Sequence, residues 1–120
     1  MVKIQENVID YSVGDRIKSL LIIASNILLR YNSLPIKNID GKEVIGWFLE
    51  ALLSEISLLL NVGKSPYVHA AKELVSSAEK SFLSGNINEA VESISTAISK
   101  VTTQAAKAIE ELEKIWKTDG

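Results

Sequence analysis

Asn86–Trp116 reads NINEAVESISTAISKVTTQAAKAIEELEKIW, and its apolar residues fall at Ile87, Ala90, Val91, Ile94, Ala97, Ile98, Val101, Ala105, Ala108, Ile109, Leu112, Ile115 and Trp116. This three-then-four spacing is one stripe of an amphipathic helix held for about eight turns. At about 1.5 Å per residue the helix is roughly 45 Å long, longer than any other the chain offers. Its far end, with Leu112, Ile115 and Trp116, is therefore expected to meet either the N-terminal segment or a second subunit.

Immediately upstream, Gly85 marks a helix stop, and Asn86 with Glu89 forms a capping box that opens the long helix after a minimal turn. Ser65-Pro66 supplies the cap and first-turn proline of a preceding helix over residues 66–84. Its core side reads Tyr67, Ala71, Leu74, Val75, Ala78 and Phe82, with His69, Lys72, Glu73, Ser76, Glu79 and Lys80 facing away. Small residues on that side predict close approach to the alanine-rich last helix.

Further back, Gly63 ends a helix over residues 41–61 whose start carries the capping pair Asp40 and Glu43. Its polar residues Glu43, Gly46, Glu50, Ser54, Ser57 and Asn61 form one narrow stripe, and Val44, Trp47, Phe48, Leu53, Leu58 and Leu60 are among the apolar remainder. A helix apolar over most of its circumference asks for cover on most sides, more than three neighbours in a bundle supply. A longer connection, residues 32–41 with Pro35 at its centre, separates it from a first helix expected over 13–31 and capped by Ser12 with Asp15. That helix has a core stripe of Val13, Ile17, Leu20, Leu21, Ala24, Ile27, Leu28 and Tyr31, while Ile22 and Leu29 point outward in a second strip of seven-residue period. Residues 1–11 alternate only weakly and read as an arm lying on the bundle. The expected fold is all-α: a single domain over 1–120, an up-down-up-down four-helix bundle with a long C-terminal helix and a short N-terminal arm.

Composition narrows the function classes. There are 13 Lys and Arg against 15 Asp and Glu, a net charge of −2, which argues against a dedicated polyanion binder. Cysteine is absent, so disulfide and thiol chemistry are excluded. Hydrophobic residues make up 47% of the chain and the mean hydropathy is +0.16, a surplus that is buried either within one chain or between chains. The two most apolar runs, 17–29 and 44–60, carry Lys18 and Asn26, and Glu50 and Glu55, and do not read as membrane spans. Without an apolar leader in MVKIQENVID, a cytoplasmic location is expected.

Within AEKSFLSGNINEAVESISTAI, the spacing of Ala78, Gly85, Ala90, Ile94 and Ala97 resembles a tetratricopeptide helical hairpin. Residues 67–109 are also similar to the small-residue hairpins of microtubule-interacting-and-transport domains and of the helical HEPN domains with their PaREP1-type relatives. No second copy follows at a tetratricopeptide period, so the hairpin stands alone. A catalytic HEPN ribonuclease pairs an arginine with a histidine a turn or so later on one helix face. Here the only arginines are Arg16 and Arg30 and the only histidine is His69, so that signature is missing. What the HEPN resemblance implies is a non-catalytic accessory protein of a nucleic-acid defence or toxin-antitoxin system, meeting nucleotide or RNA through Arg16, Lys18, Arg30 and Lys37.

No phosphate loop, nucleophile elbow, acid-base-nucleophile set or metal-ligand spacing occurs, and aromatics are not interleaved with basic residues. One polar residue breaks its pattern: Glu55 sits by helical angle between Val44, Phe48, Ala51 and Leu59. A carboxylate buried there is a ligand or proton site, unless that side is partly open or a neighbour's Lys or Arg pairs with it. The leading expectation is a non-enzymatic interaction or assembly module without cofactor or metal, self-associating as a homodimer or binding another protein, with nucleic acid an unlikely partner. Its candidate interface is Ile22, Leu29, Trp47, Leu53, Leu60, Ile115 and Trp116. The defence-accessory reading is the alternative.

Overall fold

In the computed structural model, which describes residues 2–61 and 66–119, the chain forms four helices: α1 (Val2–Asn32), α2 (Ile39–Leu60), α3 (Pro66–Leu83) and α4 (Ile87–Asp119). Consecutive helices run antiparallel. Arg16 of α1 reaches Glu55 of α2, Gly46 of α2 lies against Leu83 of α3, and Lys107 of α4 covers the ring of Tyr67 at the start of α3. The four-helix bundle expected from the sequence is the observed architecture.

Each core face follows from the periodicity. Val13, Ile17, Leu21, Ala24, Leu28 and Tyr31 of α1 are buried, as are Ile45, Leu49, Leu52 and Ile56 of α2. Val68, Ala71, Val75, Ala78 and Phe82 of α3 meet Ala90, Ile94, Ala97 and Val101 of α4. Alanines on both sides of the α3–α4 contact let the two backbones approach, the close packing that the sequence implies. The Tyr31 ring packs edge-on to Phe82, centroids 5.5 Å apart, and closes the end of the core near the α1–α2 connection.

Packing is uneven around the bundle. α4 is held along much of its length by α1 and by α3, whereas α2 leans mainly on α3 and meets α1 only sparsely. The principal extents are 59 × 23 × 16 Å and the radius of gyration is 16.4 Å, against about 14 Å for a compact chain of this length. The elongation comes from α1 and α4, 31 and 33 residues long beside an 18-residue α3.

Several boundaries differ from those expected. The segment read as an arm, residues 1–11, is helical from Val2, and Ser12 with Asp15 lies inside α1 rather than at its start. Local alternation there was too short to reveal a helix that is stabilised by its neighbour, because α4 runs past the bundle and gives these turns a surface to pack on. α2 begins two residues early: the side chain of Asn38, not Asp40, caps it, accepting from the Gly41 amide at 2.8 Å. Gly63 and Ser65, the expected stop and cap between α2 and α3, lie outside the described residues. The α3–α4 turn has the expected glycine stop, but neither side-chain bond of the expected Asn86–Glu89 capping box forms among the described residues. Gly85 has φ +90°, its amide donates to Phe82 O at 3.0 Å, and that of Asn86 donates to Ser81 O at 2.8 Å. That pair of bonds is a Schellman ending, which requires the left-handed residue that glycine supplies without strain.

Candidate interaction surfaces

The α1–α4 seam has a register that can be read from one bond. Asn32 Nδ2 donates to Asn88 Oδ1 at 3.1 Å on the outer rim of the pair. Steps of seven from each residue keep to the same rim in an antiparallel pair. From Asn32 they give Ser25, Lys18, Tyr11 and Ile4; from Asn88 they give Ser95, Thr102, Ile109 and Trp116. The rim is thus polar along the bundle and apolar at the far end. There Tyr11 and Ile109 are exposed, and Trp116 is 82% exposed.

That far end is a two-helix structure. Pro66, the first residue of α3, lies level with Lys107 and Ala108, so α4 beyond Ala108 and the facing first turns of α1 have neither α2 nor α3 beside them among the described residues. One column further out on α1, again at seven-residue spacing, stand Val8, Asp15, Ile22 and Leu29. The three apolar members are all exposed. Val8, Tyr11, Ile22 and Leu29 therefore form an outward ribbon about 32 Å long, apolar at both ends, with Asp15 and Lys18 at its middle.

A second surface lies between α2 and α3. It is a groove of about 950 Å³ whose apolar lining includes Trp47, Leu53, Leu58 and Leu83 and whose charged lining is Glu43, Glu50, Glu79 and Lys72. Gly46 forms its narrowest point, since a Cβ there would stand 3.5 Å from Leu83 Cδ2. One helical turn from that contact along each antiparallel helix come Glu50 and Glu79, both in the groove lining, while Lys72 lies further along, about level with Ser57. Among the described residues none of the three glutamates makes an ion pair. Trp47, 63% exposed, forms the outer wall.

The candidate interface residues from the sequence divide accordingly. Ile22, Leu29, Trp47 and Trp116 are exposed, Leu53 and Leu60 are half-buried against the chain's own core, and Ile115 is half-buried at the open end. Glu55 is not a buried carboxylate; the other reading holds, a partly open side with an arginine paired to it. It accepts a hydrogen bond from Arg16 Nη2 at 2.8 Å, with 36% of its side chain exposed and 62% of Arg16's. The apolar arc of α2 is wider than the part its neighbours cover, so Glu55 sits on an open flank within reach of α1. This pair is solvent-screened and of modest worth.

The buried polar group is Gln104, 3% exposed in the α1–α4 seam. Its Nε2 donates to Asp10 O at 2.6 Å, and its Oε1 finds no donor among the described residues. Gly14, itself buried, makes the space: a Cβ there would meet Gln104 Nε2 at 3.2 Å and Val101 O at 3.5 Å. The signal was present in the sequence as a glutamine on the core stripe between Val101 and Ala108, and a glycine beside Val13, but the two belong together only once the helices are aligned. Nearby, partial burial and the charge of Glu6 hold the Asp10 carboxyl above the ordinary carboxylate range.

The basic residues singled out in the sequence are not brought together. Arg16 is engaged by Glu55, Arg30 lies two heptads or about 21 Å along α1, Lys18 is on the other edge of that helix, and Lys37 donates to Leu34 O in the connection at 3.0 Å. His69 is exposed. Among the described residues no group of acidic or histidine side chains is arranged to hold a metal ion, and no helix is long and apolar enough to cross a membrane. The chain is an all-helical bundle offering two apolar surfaces. No protein-family model matches it, and neither the curated proteins nor the solved structures contain a match.

Proposed function

We propose that the protein is a non-enzymatic assembly module that self-associates as a two-fold dimer through the outward ribbon of α1. The observation that carries the reading is the exposed set Val8, Tyr11, Ile22 and Leu29, extended at the open end by Ile109 and Trp116. Isolated exposed apolar residues are ordinary, but a sustained seven-residue period on the solvent side of a helix already packed on its other face is a helix-pairing pattern.

The ribbon is also self-complementary. In a two-fold antiparallel pairing of α1 with its copy that sets Val8 level with Leu29 of the copy, Asp15 comes level with Ile22 of the copy and about 6 Å along the helix from Lys18 of the copy. Apolar ends then meet apolar ends, and Asp15 and Lys18 of the two copies gather about the middle. The dispersed basic residues give no comparable support to nucleic-acid binding.

Sedimentation velocity over a micromolar concentration series tests the reading. A dimer is expected, weakened roughly a hundredfold by the pair Val8→Lys and Leu29→Lys, which sets like charges level with each other at both ends. Asp15→Lys alone and Lys18→Asp alone each weaken the dimer, and the double exchange restores it. A monomer throughout the series, or a dimer indifferent to all four variants, sinks the reading.

A further inference from the structure

The groove between α2 and α3 is a different surface from the α1 ribbon and carries a different chemistry. It runs from Glu43 to Leu58 along α2, about 22 Å, the length of four turns of helix. Apolar side chains of Trp47, Leu53, Leu58 and Leu83 line it, and Glu43, Glu50 and Glu79 occupy the half toward Leu83, none of them in an ion pair among the described residues.

We infer that this groove receives an amphipathic helix of another protein, with leucine-like anchors on the face turned inward and lysines or arginines flanking them. The apolar walls ask for anchors spaced three and four apart. The carboxylates of Glu43, Glu50 and Glu79 in the lining ask for cationic flanks, and the position of Lys72 toward the far end sets the polarity: the basic part of the incoming helix lies toward Leu83, its neutral or acidic part toward Leu58. Neither α1 nor α2 of a second copy fits that description. The outward ribbon of α1 carries one lysine beside Asp15, and a second α2 would bring Glu50 against Glu50.

Trp47 reports occupancy directly. In a Trp116→Phe background it is the only tryptophan, and its exposed indole moves to the blue when a helix covers it. The probes are two synthetic amphipathic helices of about 15 residues with identical leucine positions, one flanked by lysine and one by glutamate. The Leu/Lys helix is expected to shift Trp47 emission and to bind more weakly as salt rises, and the Leu/Glu helix to bind at least about tenfold more weakly. The double variant Glu50→Lys and Glu79→Lys, with helix content unchanged by circular dichroism, is expected to reverse the preference. Equal affinity for the two helices, or Leu/Lys binding indifferent to the reversal, overturns the proposal. It is also overturned if Trp47 is already blue-shifted in the peptide-free protein at concentrations where sedimentation shows a dimer, because a second copy then fills the groove.

Discussion

One seam, α1 against α4, is built in two ways. Beside α2 and α3 its inner face is sealed by Ile17, Leu21, Leu28, Ile94 and Val101, all fully buried, and its rim is polar. Past the start of α3 the inner face carries half-buried Leu112 and Ile115, and the rim becomes Tyr11, Ile109 and Trp116. The body hides oil inside and shows water a polar edge; the open end carries oil at its edge as well. A helix pair left without flanking helices cannot surround its core, so apolar atoms there stay at the surface unless another molecule covers them.

Truncation in the two regions measures that difference most strongly. Phe82→Ala removes a fully buried ring packed edge-on against Tyr31 and is expected to cost about 3–5 kcal/mol in chemical denaturation. Leu112→Ala, half-buried at the open end, is expected to cost about 1 kcal/mol or less in the monomer. Equal costs would break the contrast.

At the boundary between the regions, Gly14 and Gln104 form a coupled pair. Gly14→Ala gains helix propensity but drives a methyl to 3.2 Å from the glutamine amide, so it is expected to destabilise the natural chain. In a Gln104→Ala background the same change is expected to stabilise. The double-mutant cycle should give a coupling of about 1 kcal/mol, and additivity would show that the two side chains do not share the space.

Smaller effects sharpen the picture at the edges. Arg16→Ala is expected to cost about 0.5 kcal/mol or less and to lose even that at high salt, since the pair with Glu55 is half in solvent. Asp10 carries the smallest expectation, and it is one of sign. Its folded pKa lies above the unfolded 3.8, so ionisation opposes folding at neutral pH and that opposition fades as pH falls through the folded pKa. Asp10→Asn should therefore melt slightly higher than the parent at pH 7, with the gap closing at pH values below 3.8. A parent that gains nothing relative to the variant on acidification would remove Asp10 from the account.

Helices were legible in the sequence wherever a stripe repeated for several turns: the Ile87–Val101 stretch, the Ala71–Phe82 face and the Val13–Tyr31 face all pack as their spacing predicts. The glycine at 85 fixed its turn because only one backbone conformation closes α3 there. What was not legible depends on partners distant in sequence. Residues 2–11 are helical because of α4, about a hundred positions away, and their own alternation carries no such message. Glu55 looked buried because helical angle counts apolar neighbours on α2 alone and does not know that α1 stands off from that flank. Trp47 and Trp116 were legible as surplus, but not as members of two separate surfaces.

Heptad repeats have a weakness: two such helices can slip past each other by seven residues and still match oil to oil. In this chain the slip is forbidden by a single notch. Seven residues either side of Gly14 stand Asn7 and Leu21, so the amide of Gln104 has one place where its bulk fits and its N–H finds a carbonyl. Gly14 and Gln104 thus act as a detent, spending a little stability to hold the longest two rods of the molecule in one phase, and the length of α4 that projects past α3 is set by where that detent engages.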